Sequence, residues 1–144
     1  MENSLNISIL IPLIPMGMAI FILILLISFN RTINRLTKPV SFLVVFSLLS
    51  STLISLNFYL KKIEGELFLS NYLKLFESKN LVLHLNSLTE KITMSFTVIM
   101  AIVIGVLFYK LPRQKGYVSL LIGISLISSS IIFAIMFLDF SVLI

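Results

Sequence analysis

The stretch that decides the fold is residues 9–29, ILIPLIPMGMAIFILILLISF, which contains no charged side chain. A helix needs roughly 20 apolar residues to cross a bilayer core about 30 Å thick, and this run has that length. Three further uncharged apolar runs follow at 40–60, 92–109 and 117–138. Backbone polar groups must be paired inside lipid, which favours helices. The sequence predicts an all-α membrane protein with four transmembrane helices and one polytopic domain, 1–144.

Composition excludes a soluble enzyme. Charged residues make up 12% and hydrophobic residues 58%, whereas a soluble domain carries about 25% charged residues. There is no cysteine, one histidine and six acidic residues, which leaves little material for thiolate chemistry, a metal site or an acid–base pair. We therefore predict no catalytic, cofactor-binding or metal-binding residues and no cofactor.

The basic residues predict the orientation. Two short connections between spans carry lysine and arginine without an acid: Arg31, Arg35 and Lys38 in one, Lys110, Arg113 and Lys115 in the other. Short loops rich in lysine and arginine stay in the cytoplasm. Both termini are therefore predicted on the lumenal or periplasmic side. The net charge of +5 is explained by topology, and no nucleic-acid partner is expected.

The connection 61–91 is predicted to be a partly ordered outer loop. Leu69, Tyr72, Leu73 and Phe76 lie at helical spacing, which predicts a short interfacial helix over 66–77. Residues 81–86 alternate partly with period two, which predicts a short strand.

Small and hydroxyl residues form stripes on three spans, at the spacing that lets helices pack closely in lipid. The members are Ser47, Ser51 and Ser55 on the second span; Thr93, Thr97, Ala101 and Gly105 on the third; and Ser119, Gly123, Ser125 and Ser129 on the fourth. The stripes favour packing within the bundle, and a partner interface is the alternative. Pro12 and Pro15 lie near the start of the first span, where proline costs little.

Titratable groups are absent from the four predicted intervals, apart from tyrosine hydroxyls. Proton pumps and ion carriers need intramembrane acids or bases, so transport by this chain alone is disfavoured. Asp139 follows the fourth span and is interpreted as an interfacial residue. His84, with Glu77 and Glu90 near it in sequence, is interpreted as a loop residue, because zinc needs three or four suitable ligands.

Several segments carry a family resemblance. They are 10–15 (LIPLIP), 26–30 (LISFN) with the basic loop after it, 83–89 (LHLNSLT), Gly116-Tyr117 and 128–130 (SSS). In this order they resemble the N-terminal region of the chain-5 (F) membrane subunit of NAD(P)H–quinone oxidoreductase, especially its cyanobacterial and plastid form. That subunit belongs to the antiporter-like family of proton-pumping subunits.

The departures from the family matter for function. The family's Trp-Glu-Leu-Val-Gly motif, whose Glu belongs to the proton path, is not found, and the match ends before it at Ile144. Asn86 stands at the family's Asp, and the basic segment 110–115 (KLPRQK) replaces an acidic turn. No functional residue is carried over.

The resemblance implies a thylakoid or plasma membrane and partners among the other membrane subunits of a plastoquinone-type oxidoreductase. We expect a non-catalytic component, or a truncated relative, of that complex. The alternative is a stand-alone structural or assembly factor of another membrane complex, without transport activity.

Overall fold

The computed structural model describes residues 7–33, 35–62, 65–68, 82–110 and 116–137. Four of its helices are long and apolar enough to cross a membrane, which confirms the predicted all-α membrane fold. They are α1 (Leu10–Ser28), α2 (Thr37–Lys61), α3 (Ser87–Lys110) and α4 (Tyr117–Phe137). One helical turn, Asn30–Ile33, lies between α1 and α2.

The ends of the helices follow from local chain geometry. The structure extends the second helix by three residues and the third helix by five residues beyond their predicted starts at 40 and 92. The longer third helix includes Glu90 and Lys91. At the end of α2, Lys62 adopts a left-handed conformation, and its N–H bonds to the Phe58 and Tyr59 carbonyls. Such a left-handed residue pairs the last carbonyls of a helix.

A two-stranded antiparallel hairpin connects α2 to α3. Strand β1 (Gly65–Phe68) pairs with β2 (Val82–Leu85), with Gly65 opposite Leu85 and Phe68 opposite Val82. The predicted strand is therefore confirmed. The predicted interfacial helix is wrong at its start, because residues 66–68 belong to β1. Its remaining residues, 69–77, lie outside the described residues, as do Asp139 and the basic loop residues 111–115.

The four helices pack as a bundle in which α2 lies between α1 and α3, and α4 lies against α1 and also contacts α2 and α3. The helices define two ends. The hairpin end contains β1, β2, the start of α3 and the end of α4. The basic end contains the start of α2 with Arg35 and Lys38, and the end of α3 with Lys110.

Two apolar clusters fill the bundle. All four helices contribute to the cluster nearer the basic end, whose members include Ile22, Val44, Leu48, Ile104 and Leu121. The cluster at the hairpin end contains Ile11, Phe58, Leu83, Leu85, Ile132 and Met136. Leu83 and Leu85 come from β2 and are 0% and 3% exposed. Strand β2 therefore inserts these two side chains among the helices.

Candidate functional site

The polar interior of the bundle contains serine and threonine hydroxyls, several of which join neighbouring helices. One of these contacts compensates for Pro15, which lies inside α1. Proline has no N–H, so it cannot bond to the carbonyl four residues before it, which belongs to Ile11. The Ser51 hydroxyl of α2 donates to that carbonyl oxygen at 2.7 Å. A side chain of α2 thus replaces the hydrogen bond that Pro15 removes from α1.

Two serines of α4 bond to the same region of α1. Ser125 donates to the Pro15 carbonyl at 2.9 Å, and Ser129 donates to the Pro12 carbonyl at 2.8 Å. The serines are four residues apart and the acceptors three, so each pair lies along one helix face. Both serines are buried. These two hydrogen bonds fix the position of α4 along the axis of α1.

Helices α2 and α3 are joined near the hairpin end. Ser55 donates to the Glu90 carbonyl at 3.0 Å. The Thr52 and Thr97 hydroxyls lie 2.8 Å apart, and each also contacts a carbonyl of its own helix. A hydroxyl has one proton, so one of the two donates across the interface while the other donates to its own helix. Both hydroxyl protons therefore have an acceptor, whichever of the two threonines donates across the interface.

A polar contact joins two spans at the basic end. The Ser41 hydroxyl lies 2.9 Å from the Tyr117 hydroxyl and 2.8 Å from the Thr37 carbonyl, to which it donates. Both residues of the pair are at most 3% exposed. Tyr117 opens α4, directly after Gly116, whose φ of +87° is a conformation that favours glycine. The turn at Gly116 therefore positions the tyrosine against α2.

Glu90 lies in the first turn of α3 and is 3% exposed. Thr89 and Thr93 beside it are each 1% exposed, and their hydroxyls make no hydrogen bond among the residues that the structure describes. A buried carboxylate next to hydroxyls is the kind of group that a proton or cation path requires. The start of α3 therefore adds a buried carboxyl group to the interior, and the predicted start at 92 places Glu90 outside the span.

An apolar layer separates this polar region from the basic end. Val44, Leu48, Ile104 and Leu121 are each 0% exposed. On α2, the hydroxyls of Ser47 and Ser41 lie on either side of Val44, and their six-residue separation corresponds to about 9 Å along a helix. A hydrogen bond spans only about 3 Å between heavy atoms. The described hydroxyls therefore do not form a continuous chain across the bundle.

The predicted stripes are partly correct. The following members are buried at helix contacts: Ser47, Ser51 and Ser55 on α2, Thr93, Thr97 and Ala101 on α3, and Ser125 and Ser129 on α4. Gly105 and Ser119 are exposed. A Cβ atom added at Gly105 or Gly123 would meet nothing within 4 Å. These two glycines therefore do not mediate close packing inside the bundle.

Sequence reasoning missed Thr52, Ser41 and Tyr117 as contact residues. The serine stripe on α2 pointed to the correct helix, but nothing in the local sequence assigns its acceptors. A usable signal does exist for Ser51, because Pro15 identifies the Ile11 carbonyl as an acceptor that needs an outside donor. The partner helix cannot be read from that signal.

The titratable side chains do not converge on a metal centre within the described ranges. No group of three or more His, Cys, Asp or Glu residues able to hold a metal is found there. His84 lies on β2 with its backbone opposite Glu66 and is half-buried. Lys91 places its Nζ atom 5.3 Å from the centroid of the Tyr59 ring, within the range of a cation–π contact.

Comparisons with known proteins do not assign the chain to a family. No protein-family model matches the sequence, and no curated protein is significantly similar to it. The resemblance described above therefore rests on the sequence segments alone.

Proposed function

We propose that this protein is a non-transporting, non-catalytic helical component of a larger membrane complex. The apolar layer of Val44, Leu48, Ile104 and Leu121 is the observation that carries the proposal. A proton path needs a relay of polar or ionisable groups, and this layer interrupts the hydroxyls between the two ends. A bundle of this kind holds helices in place rather than conducting ions.

The use of the hydroxyl groups supports the same proposal. Ser51, Ser55, Ser125 and Ser129 donate to carbonyls of neighbouring helices. Each of these hydrogen bonds joins two helices. Hydroxyls that are held in this way serve packing, which is the common use of serine and threonine between membrane helices.

A large apolar outer surface leaves room for contacts with further helices. In an apolar 18-residue stretch of each helix, only 28% of the residues of α1 and 22% of those of α3 are buried inside the bundle. The outward side of α3 includes Ile99 and Ile102, which are 57% and 61% exposed. Lipid chains or further helices can cover such a surface.

The partner complex that we propose is an oxidoreductase of the NAD(P)H–quinone type, in a thylakoid or plasma membrane. The support is the order of the resembling segments, including 10–15 and 83–89. We propose the orientation with both termini lumenal or periplasmic, supported by the basic residues Arg35, Lys38 and Lys110 at one end of the bundle.

Two experiments test the proposal. In the first, purified protein is reconstituted into vesicles with a pH-sensitive dye inside, and proton flux is measured under an imposed pH gradient. The expected rate equals that of empty vesicles. A faster flux that the Glu90→Gln variant abolishes would refute the non-transporting role.

In the second, a tagged chain is extracted with a mild detergent and separated on a native gel. Co-migration with the quinone oxidoreductase is expected. Migration alone or with a different complex would reject that partner. Migration with a different complex would favour the alternative, a structural or assembly factor of that other complex.

A further inference from the structure

A groove on the outer surface lies between α2 and α3 at the basic end. Its volume is about 610 Å³, and its lining includes Lys38, Pro39, Phe42, Val45, Gly105 and Phe108. Phe42 is 70% exposed and stacks against Phe46 with ring centroids 6.4 Å apart, so it forms a wall on the outside of the bundle. Gly105 leaves the opposite side open, because a Cβ there would meet nothing within 4 Å.

The length of the groove matches part of an acyl chain in one leaflet. Its lining on α2 runs from Lys38 to Val45, a distance of roughly 10 Å along a helix. That length lies within one leaflet, which is half of a hydrocarbon core about 30 Å thick. A groove of that length accommodates part of one acyl chain whose headgroup lies at the membrane surface.

The positive charge of Lys38 at the mouth of the groove favours a lipid with a negatively charged headgroup. Lys38 is the charged residue of the lining, and it lies at the start of α2, whose first turn holds no acid. Arg35 and Lys110 lie at the same end. Within the described part of the basic end there is no Asp or Glu. The mouth is therefore complementary to an anionic group at the membrane surface.

We propose that this groove is a binding site for one anionic phospholipid. An acyl chain lies against Phe42, Val45 and Gly105, and the Lys38 ammonium group pairs with the headgroup phosphate. The apolar lining supplies most of the contact area, and the lysine supplies the preference for a negative headgroup over a zwitterionic one.

The hairpin end offers a matched control. A second depression there is lined by Tyr59, Leu60, Lys62, Ser87 and Lys91. Its Lys91 already lies over the Tyr59 ring. A Lys91→Gln variant therefore removes one positive charge from the protein without changing the groove at the basic end.

The experiment measures lipid retention by native mass spectrometry. The protein is placed in nanodiscs that contain equal amounts of phosphatidylglycerol and phosphatidylcholine with identical acyl chains, and is then released with its bound lipids. Two variants change the groove: Lys38→Gln removes the charge, and Gly105→Leu fills the space. Lys91→Gln and Gly17→Leu are their controls, since Gly17 is exposed and also has no neighbour within 4 Å of a Cβ.

The unmodified protein is expected to retain one phosphatidylglycerol in preference to phosphatidylcholine. Lys38→Gln should reduce that preference about fivefold, the effect of one basic residue near a charged surface. Gly105→Leu should reduce retention of both lipids, and the two controls should behave like the unmodified protein. Equal retention of the two lipids by the unmodified protein would overturn the proposal.

A further experiment distinguishes binding of a phospholipid from binding of free phosphate. Addition of inorganic phosphate to the detergent-solubilised protein should not raise its thermal stability. Stabilisation by inorganic phosphate that Lys38→Gln removes and Gly105→Leu leaves intact would identify an anion site without a lipid, and would also overturn the proposal.

Discussion

The contact between Ser51 and the Ile11 carbonyl allows a test of why the polar residues are in the bundle. In the Ser51→Ala variant the carbonyl loses its donor, and Pro15 still provides no N–H. Ile11 is 1% exposed and Ser51 is 0% exposed, so exposed solvent does not replace the bond. A buried polar group left unpaired costs about 1–3 kcal/mol, and hydrogen bonds between membrane helices reach about 1.7 kcal/mol. We expect a loss of about 1–2 kcal/mol in the free energy of unfolding.

The same substitution should cost less when Pro15 is replaced by alanine. An alanine at position 15 supplies an N–H to the Ile11 carbonyl, so the carbonyl remains paired without Ser51. We expect the cost of Ser51→Ala to fall below about 0.5 kcal/mol in the Pro15→Ala background, a coupling of about 1 kcal/mol between the two positions. Effects of Pro15→Ala alone cancel in this double-mutant cycle.

The measurement is reversible unfolding in mixed micelles with increasing denaturing detergent, followed by circular dichroism. Ser50→Ala is the control, because the Ser50 hydroxyl donates to the Phe46 carbonyl of its own helix. Its cost should be close to zero. Equal costs of Ser51→Ala in the two backgrounds would show that the proline and the serine act independently, and the reasoning would be wrong.

Two further substitutions test the rest of the packing in the same unfolding assay. Leu83→Ala should destabilise the protein by about 2–4 kcal/mol, because it leaves a cavity where a fully buried side chain of the hairpin packs; a cost below about 0.5 kcal/mol would mean that the hairpin is not seated in the bundle. Tyr117→Phe removes the hydroxyl that lies 2.9 Å from Ser41 and should cost about 0.5–1.5 kcal/mol. Tyr109→Phe is its control, since Tyr109 is 86% exposed and should tolerate the change.

The sequence predicts the spans well because hydropathy depends on the composition of each segment alone. The start of α3 is the informative exception. When the spans are defined by uncharged runs, the third span begins at 92 and Glu90 and Lys91 fall in the loop before it. In the structure both belong to the first turns of the helix, where the backbone of Glu90 meets Ser55 and the Lys91 ammonium group lies over Tyr59. Both partners come from α2, so no local pattern contains them.

The hairpin shows the same limit. Its alternation predicts strand β2. No local pattern predicts β1, because the pairing of Gly65 with Leu85 joins segments that are distant in sequence. The helical spacing of Leu69 to Phe76 extended the predicted helix back over Glu66. The hydroxyl stripes likewise identified faces of helices but not their acceptors, since Ser125 and its acceptor Pro15 lie on the fourth and first spans.

The seating of the hairpin has a consequence for biogenesis. Leu83 and Leu85 pack against Ile132 and Met136, which the ribosome produces after the hairpin. At about 5–20 residues per second, synthesis from Leu85 to Met136 takes roughly 3–10 s. During that interval the two leucines lack part of their final contacts and are open to proteases or chaperones on that side of the membrane. Protection of the hairpin from a protease therefore reports that the last span has been inserted.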